Sequence, residues 1–120
     1  MSGPQTTSHP LSSLQRSLLF EVAERGPDGT NVEQIVVRLG RAVDPEVLER
    51  ALHVVHSRFD ALRAVLRPGR GEQVILAEPA VVFERRPSRG EPDLAPFLAE
   101  DRVRPFDLEQ TPPVRWTLLE

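Results

Sequence analysis

The chain contains no cysteine, which excludes a disulfide framework, a thiolate metal site and a cysteine nucleophile together. Tyrosine is absent as well, and aromatic residues make up only 5% of the composition. Acidic residues outnumber basic ones, 18 to 15, for a formal net charge of -3. A nucleic-acid binder needs a basic face and stacking aromatics, and this composition supplies neither. Long apolar runs are missing: none approaches the ~18–20 residues of a membrane-spanning helix. The opening MSGPQTTSHP lacks the basic start and apolar stretch of a secretion signal, so a cytoplasmic location is expected. Lysine does not occur, and the basic side chains other than three histidines are all arginine. That reads as coding bias toward G and C and says little about function.

What is present suits one small domain or a piece of a larger one. The 120 residues are 39% hydrophobic and 28% charged, enough for a single modest core. Residues 1–10 are small, polar and proline-bearing and are expected to be a flexible N-terminus. Ser12 or Ser13 can cap a helix carrying Leu14, Leu18, Leu19 and Val22, which GPDGT at 26–30 ends. NVEQIVVRLG at 31–40 alternates with period 2, with Ile35, Val37 and Leu39 on one face, and predicts a strand.

Asp44-Pro45-Glu46 is a strong helix start: a capping acid, a preset φ and an acid facing the helix dipole. Beyond it, Leu48, Ala51, Leu52, Val55, Phe59 and Leu62 fall within an arc of about 100°, the width of a core-facing stripe. RAVLR and EQVIL, joined by Pro68-Gly69-Arg70-Gly71, predict an antiparallel hairpin. Val81-Val82-Phe83 predicts a short strand, PSRGEPD a loop, and residues 94–102 a helix with Pro96 in its first turn. Val114, Trp116 and Leu118 alternate in a final strand. The order of elements predicts an α/β two-layer (α+β) sandwich, a mixed sheet with helices packed on it.

Candidate chemistry is sparse. His9 reads as solvated, His53 as exposed and His56 as lying at the edge of the apolar stripe. The last two are three apart and could share a ligand, but zinc needs a further ligand in register and none is evident. Ser12, Ser13 and Ser17 lack a nucleophile elbow and read as caps and helix-surface residues. PGRG lacks the lysine and the spacing of a phosphate loop and reads as a turn. Glu46, Glu49 and Asp60 read as solvated carboxylates. In Arg58-Phe59-Asp60-Ala61-Leu62-Arg63, anchoring of Phe59 and Leu62 in the core would fix where the two arginines point. An arginine held so can orient a carboxylate on a neighbouring segment through a planar fork; on pattern alone, a surface arginine without a fixed partner is the commoner case.

Four segments in order carry a family likeness. SHPLSSLQRSLLF resembles the opening motif of condensation domains of nonribosomal peptide synthetases, and NVEQIVVRLG with VDPEVLERAL resembles that family's entry into its first long helix. SRFDALRAVL is similar to its Arg-His-Glu/Asp-x-Leu-Arg-Thr-x-Phe motif, and RPFDLEQTPPVRWTLLE to its Pro-Phe-Asp-Leu … Gly-Pro-Leu-Leu-Arg segment. The likeness covers residues 9–120. It departs at Phe59, where the family usually has His, at Ala64-Val65-Leu66 in place of Thr-x-Phe, and at Pro112 in place of Gly.

The resemblance implies a fold like chloramphenicol acetyltransferase, of which residues 11–120 would form part of the N-terminal lobe. It implies a parent enzyme that joins a carrier-bound acyl or peptidyl thioester to an aminoacyl amine, both substrates tethered by phosphopantetheine. No cofactor is expected to be bound by this chain. The implied partners are peptidyl and aminoacyl carrier proteins and the rest of the synthetase, with no nucleic acid and no membrane. The catalytic His-His-x-x-x-Asp-Gly motif would be expected after PVRWTLLE, so none of these residues is given a catalytic role. Arg58 or Arg63 would support that motif by bridging its Asp. The chain alone is expected to be inactive and to self-associate through its C-terminal strand. Two alternatives stand beside this reading: a stand-alone module that binds a carrier protein or completes another chain's sheet, and part of a related ester-forming acyltransferase.

Overall fold

A computed structural model describes residues 6–87 and 93–120. Five strands and three α-helices run β1 (Thr7–Pro10), α1 (Ser13–Arg25), α2 (Pro45–Arg58), β2 (Ala64–Arg67), β3 (Glu72–Ile75), β4 (Val82–Arg86), α3 (Leu94–Val103) and β5 (Arg115–Leu119), with short 3-10 turns at Asp60–Arg63 and Pro68–Arg70. The strands form two sheets. One is antiparallel, in the order β1-β3-β2, and the other is the parallel pair β4-β5. The mixed α/β character expected from the pattern is present, divided between two sheets.

Local chemistry explains most of the elements. Ser12 caps α1 in a reciprocal box: its hydroxyl accepts from the Gln15 N–H, and the Gln15 side chain accepts from the Ser12 N–H. Asp44 caps α2 by accepting from the N–H groups of Glu46 and Val47, with Pro45 in the first position. The β2–β3 hairpin pairs Arg67 with Glu72, and Gly71 closes the turn at φ 64, a left-handed geometry that favours glycine. Asp93 caps α3, and Pro96 lies in its first turn as expected. Parallel pairing of β4 with β5 requires a crossover, which residues 87–114 and α3 provide. The segment PSRGEPD falls mostly outside the described residues.

Four expectations are corrected. Residues 7–10 are not a free leader: they form β1 and pair with β3 from Thr7↔Ile75 to Pro10↔Glu72. NVEQIVVRLG joins no ladder, and Ile35 and Val37 are 89% and 72% exposed. Period-2 alternation marks a segment fit for a sheet, but a strand exists only with a partner, and no described residue supplies one. The third correction concerns α2, whose buried positions are Leu52 and His56, while Val55 and Phe59 of the predicted stripe are exposed. Lastly, α1 fully buries none of its residues: of its apolar face Leu19 is half-buried, while Leu14, Leu18 and Val22 are exposed.

The core is accordingly thin. Leu11, Leu52, Ala64, Val65 and Val74 are its buried apolar side chains. The molecule is a slab with principal extents of 46 × 43 × 17 Å and a radius of gyration of 16.2 Å. A compact domain of this length would have a radius of roughly 13.5 Å. None of the described helices is long and apolar enough to cross a membrane.

Candidate functional site

The motif segment SRFDALR straddles the end of α2 and the 3-10 turn that leads into β2. At Phe59 the backbone leaves the helix for extended geometry, φ -119 and ψ 114. A helix end leaves backbone carbonyls without partners, and Arg63 folds back to meet them. Its Nη1 donates to the His56 carbonyl at 3.0 Å and the Ser57 carbonyl at 2.7 Å. Its Nε donates to the Leu76 carbonyl at 2.9 Å, just beyond β3, and its Nη2 donates to Asp60 Oδ1 at 2.7 Å. The Leu76 N–H returns a bond to the Arg63 carbonyl at 2.8 Å. One guanidinium therefore caps α2, ties it to the β2–β3 hairpin and holds Asp60, whose carboxylate stays largely solvent-exposed as expected.

Arg58 differs. It is exposed and makes no hydrogen bond or ion pair with the described residues, so its fork remains available. Phe59 does not anchor the segment, being 59% exposed, whereas Leu62 is half-buried. The anchoring comes from Arg63 and from Ala64 and Val65, both buried.

His56 was expected at the edge of the stripe and is instead fully buried. Its Nε2 accepts from the indole N–H of Trp116 on β5 at 2.9 Å, with the rings edge to face and 6.0 Å between centroids. Its Nδ1 is buried without a hydrogen-bond partner. Burial depresses its pKa, the Leu62 backbone opposing and nearby His53 adding to the effect. The helical spacing of His56 from Leu48 and Leu52 was the signal for its burial. The partner that makes an imidazole acceptable there lies 60 positions away in sequence.

A second cluster fixes the approach to β5. Arg115, with its side chain 7% exposed, pairs with Asp101 of α3, donates to the Asp101 and Arg104 carbonyls, and stacks over Phe106 at 4.1 Å. Arg104 forms a forked ion pair with Glu84 on β4, which holds that carboxyl below its ordinary range. Pro112, one of the departures from the family pattern, is fully buried.

An open apolar groove of about 1330 Å³ separates residues 32–39, which join no ladder, from β5, with Ile35, Val37, Leu52, Trp116 and Leu118 among its walls. No group of three His, Asp or Glu side chains that could hold a metal ion occurs among the described residues. Ser8 Oγ donates to Glu72 Oε2 at 2.8 Å on an exposed part of the antiparallel sheet, but that bond and the nearby arginines hold the carboxylate below its ordinary range, which makes it a poor base. The arrangement can position and cover, and at the end of a capped helix it presents the Arg58 guanidinium, which has no partner among the described residues.

The sequence model of the family described as "Condensation domain" matches residues 5–120. The chain belongs to the condensation-domain family. Bacitracin synthase 3 of Bacillus licheniformis is 31% identical over 117 residues, and a linear gramicidin synthase of Brevibacillus parabrevis is 33% identical over 119; each alignment covers 92% of this chain. Bacitracin synthase 1 of Bacillus licheniformis is 28% identical over 93% of the chain. The chain spans only 2% of the length of each of these relatives. Within this condensation-domain segment the motif positions divide sharply: Arg63 is used up inside the fold, and Arg58 is not.

Proposed function

We propose that the chain is the front part of a condensation domain whose complete form joins a carrier-bound acyl or peptidyl thioester to the amine of an aminoacyl thioester. The observation that carries this reading is an unfinished surface. The segment 32–39 has no strand partner among the described residues, α1 fully buries none of its residues, and a groove separates the segment from β5. The chain exposes 8714 Å², whereas a monomeric domain of its mass exposes roughly 6,500 Å². An excess on the order of 2,000 Å² has the size of an obligate interface. That supports a part of a lobe in a chloramphenicol acetyltransferase-like architecture, completed by further polypeptide.

In that setting Arg58, whose donors meet no group among the described residues, is the arginine that bridges the Asp of the catalytic His-His-x-x-x-Asp-Gly motif. Arg63 supports the same motif indirectly by fixing the helix end that carries Arg58. The 120 residues contain no adjacent pair of histidines, and general acid–base help across a cleft needs both the group and the cleft. The chain by itself therefore forms no amide bonds. Its partners in the cytoplasm are the remainder of the synthetase and the carrier proteins, whose phosphopantetheine arms bring the substrates.

The test is reconstitution: the chain and the remainder of a condensation domain are expressed as separate polypeptides and supplied with acyl- and aminoacyl-loaded carriers. Amide product is expected from the pair and from neither part. Amide formation by the chain alone would overturn the reading. That 32–39 joins no ladder among the described residues also favours a second reading, strand addition to another protein's sheet. That reading predicts a stable complex with a protein that is not a synthetase component, and no activity on reconstitution.

A further inference from the structure

We propose that His56 and Trp116 form a proton-operated latch between α2 and β5, closed when the imidazole is neutral and released when its Nε2 takes a proton. An indole N–H can only donate, so the 2.9 Å bond requires a bare Nε2 lone pair. The neutral ring must then carry its hydrogen on Nδ1, which makes no hydrogen bond, although the nearby Leu62 backbone favours the charged ring and opposes the effect of burial in part. A proton arriving at Nε2 would set two donors against each other at a fully buried ring, and the bond to Trp116 could not survive it.

The location makes this more than a local event. α2 leads through Arg63 into the antiparallel sheet, and β5 belongs to the parallel one. Besides the latch, the Leu66 N–H of β2 donates to the Leu108 carbonyl, in the crossover that leads to β5, at 2.7 Å. Loss of the latch therefore loosens one sheet against the other and frees the indole that lines the groove.

The charged groups around the ring do not offset this. On α2, His53 is exposed and adds repulsion. From the 3-10 turn, Arg63 bonds to the His56 carbonyl but is paired with Asp60. On β5, Arg115 next to Trp116 is paired with Asp101. The buried side chains that β2 and β3 give to the core, Ala64, Val65 and Val74, are apolar. Burial holds the folded imidazole below its ordinary value of 6.5. The unfolded chain therefore takes up its proton first as pH falls. The contribution of the latch is complete above 6.5 and is lost below it, by up to tenfold in the folding equilibrium for each unit of depression.

Trp116 is the single tryptophan, so its fluorescence reports the latch directly. We expect a fluorescence step with a midpoint below pH 6.5, accompanied by a fall in the urea midpoint over the same range. Both should persist in the His9→Gln/His53→Gln chain, which lacks the two exposed histidines. Both should vanish in His56→Gln, whose amide oxygen can accept the indole N–H without titrating. A flat profile in the first variant, or a surviving step in the second, would overturn the proposal. Should His56→Gln fail to fold, imidazole nitrogen shifts in the unmodified chain decide: one histidine locked as the Nδ1–H tautomer at neutral pH supports the latch, and its absence sinks it.

Discussion

Arg63 donates to three backbone carbonyls and one carboxylate, whereas Arg58, at the other end of the same motif, donates to none of the described residues. Removing the first should strand the end of α2 and the end of β3. We expect Arg63→Ala to destabilise the chain by about 2–3 kcal/mol, since buried hydrogen bonds to a charged group are lost. Arg58→Ala should fall within about 0.5 kcal/mol. Urea unfolding of both variants measures the difference, and equal losses would show that Arg63 is not the clamp. In the reconstituted domain the order should invert for chemistry: Arg58→Ala lowers amide formation while leaving stability unchanged. The sequence placed both arginines on one short segment. It could not say which was spent, because the carbonyls that Arg63 meets come partly from Leu76, beyond the hairpin.

Elements whose causes are local were legible in advance. The caps at Ser12 and Asp44, Pro45, the glycine-closed hairpin and the breaker at Gly26 are all short-range chemistry, and the observed α1, α2 and β2–β3 follow them closely. Asp44→Ala should cost about 1 kcal/mol, in line with other capping residues, and thermal unfolding can check it. The ion pair between Glu84 on β4 and Arg104 at the end of α3 is less local. The Arg104 hydrogen bond holds the Glu84 carboxyl below its ordinary 4.5. Its contribution is therefore present above 4.5 and disappears as pH falls through the lowered value in the folded chain. Because both side chains are about one-third exposed, the effect should be no more than about 1 kcal/mol. Stability measured from about pH 6 to about pH 3 should fall less steeply in Glu84→Gln than in the unmodified chain.

At the scale of the molecule, exposed apolar side chains lie on α1, on α2 and along residues 35–39, where the sequence predicted a strand and the structure has none. Self-association was expected through the C-terminal strand, yet β5 is half-buried throughout and its Trp116 is bonded to His56. The most exposed large apolar side chains among the described residues are instead Ile35 and Val37 of the 32–39 segment. Light scattering on the isolated chain should find dimers or larger species at micromolar concentration. Ile35→Lys/Val37→Lys should shift it toward monomer without lowering its unfolding midpoint, because neither side chain is packed. The same double variant should fail to reconstitute activity. A monodisperse unmodified chain would argue that the slab is sufficient by itself.

Helix ends, turns, the hairpin and the family likeness are properties of neighbouring residues, and the order of the amino acids was sufficient for them. Membership of the condensation-domain family, matched over residues 5–120, rests on that same order. Which face of α2 is buried and which arginine is drawn into the fold depend on groups distant along the chain, Trp116 for His56 and Leu76 for Arg63, and 31–40 finds no ladder among the described residues. Burial and pairing are properties of a surface and its cover. Periodicity reveals that a face is apolar, but only the tertiary structure decides what lies against it.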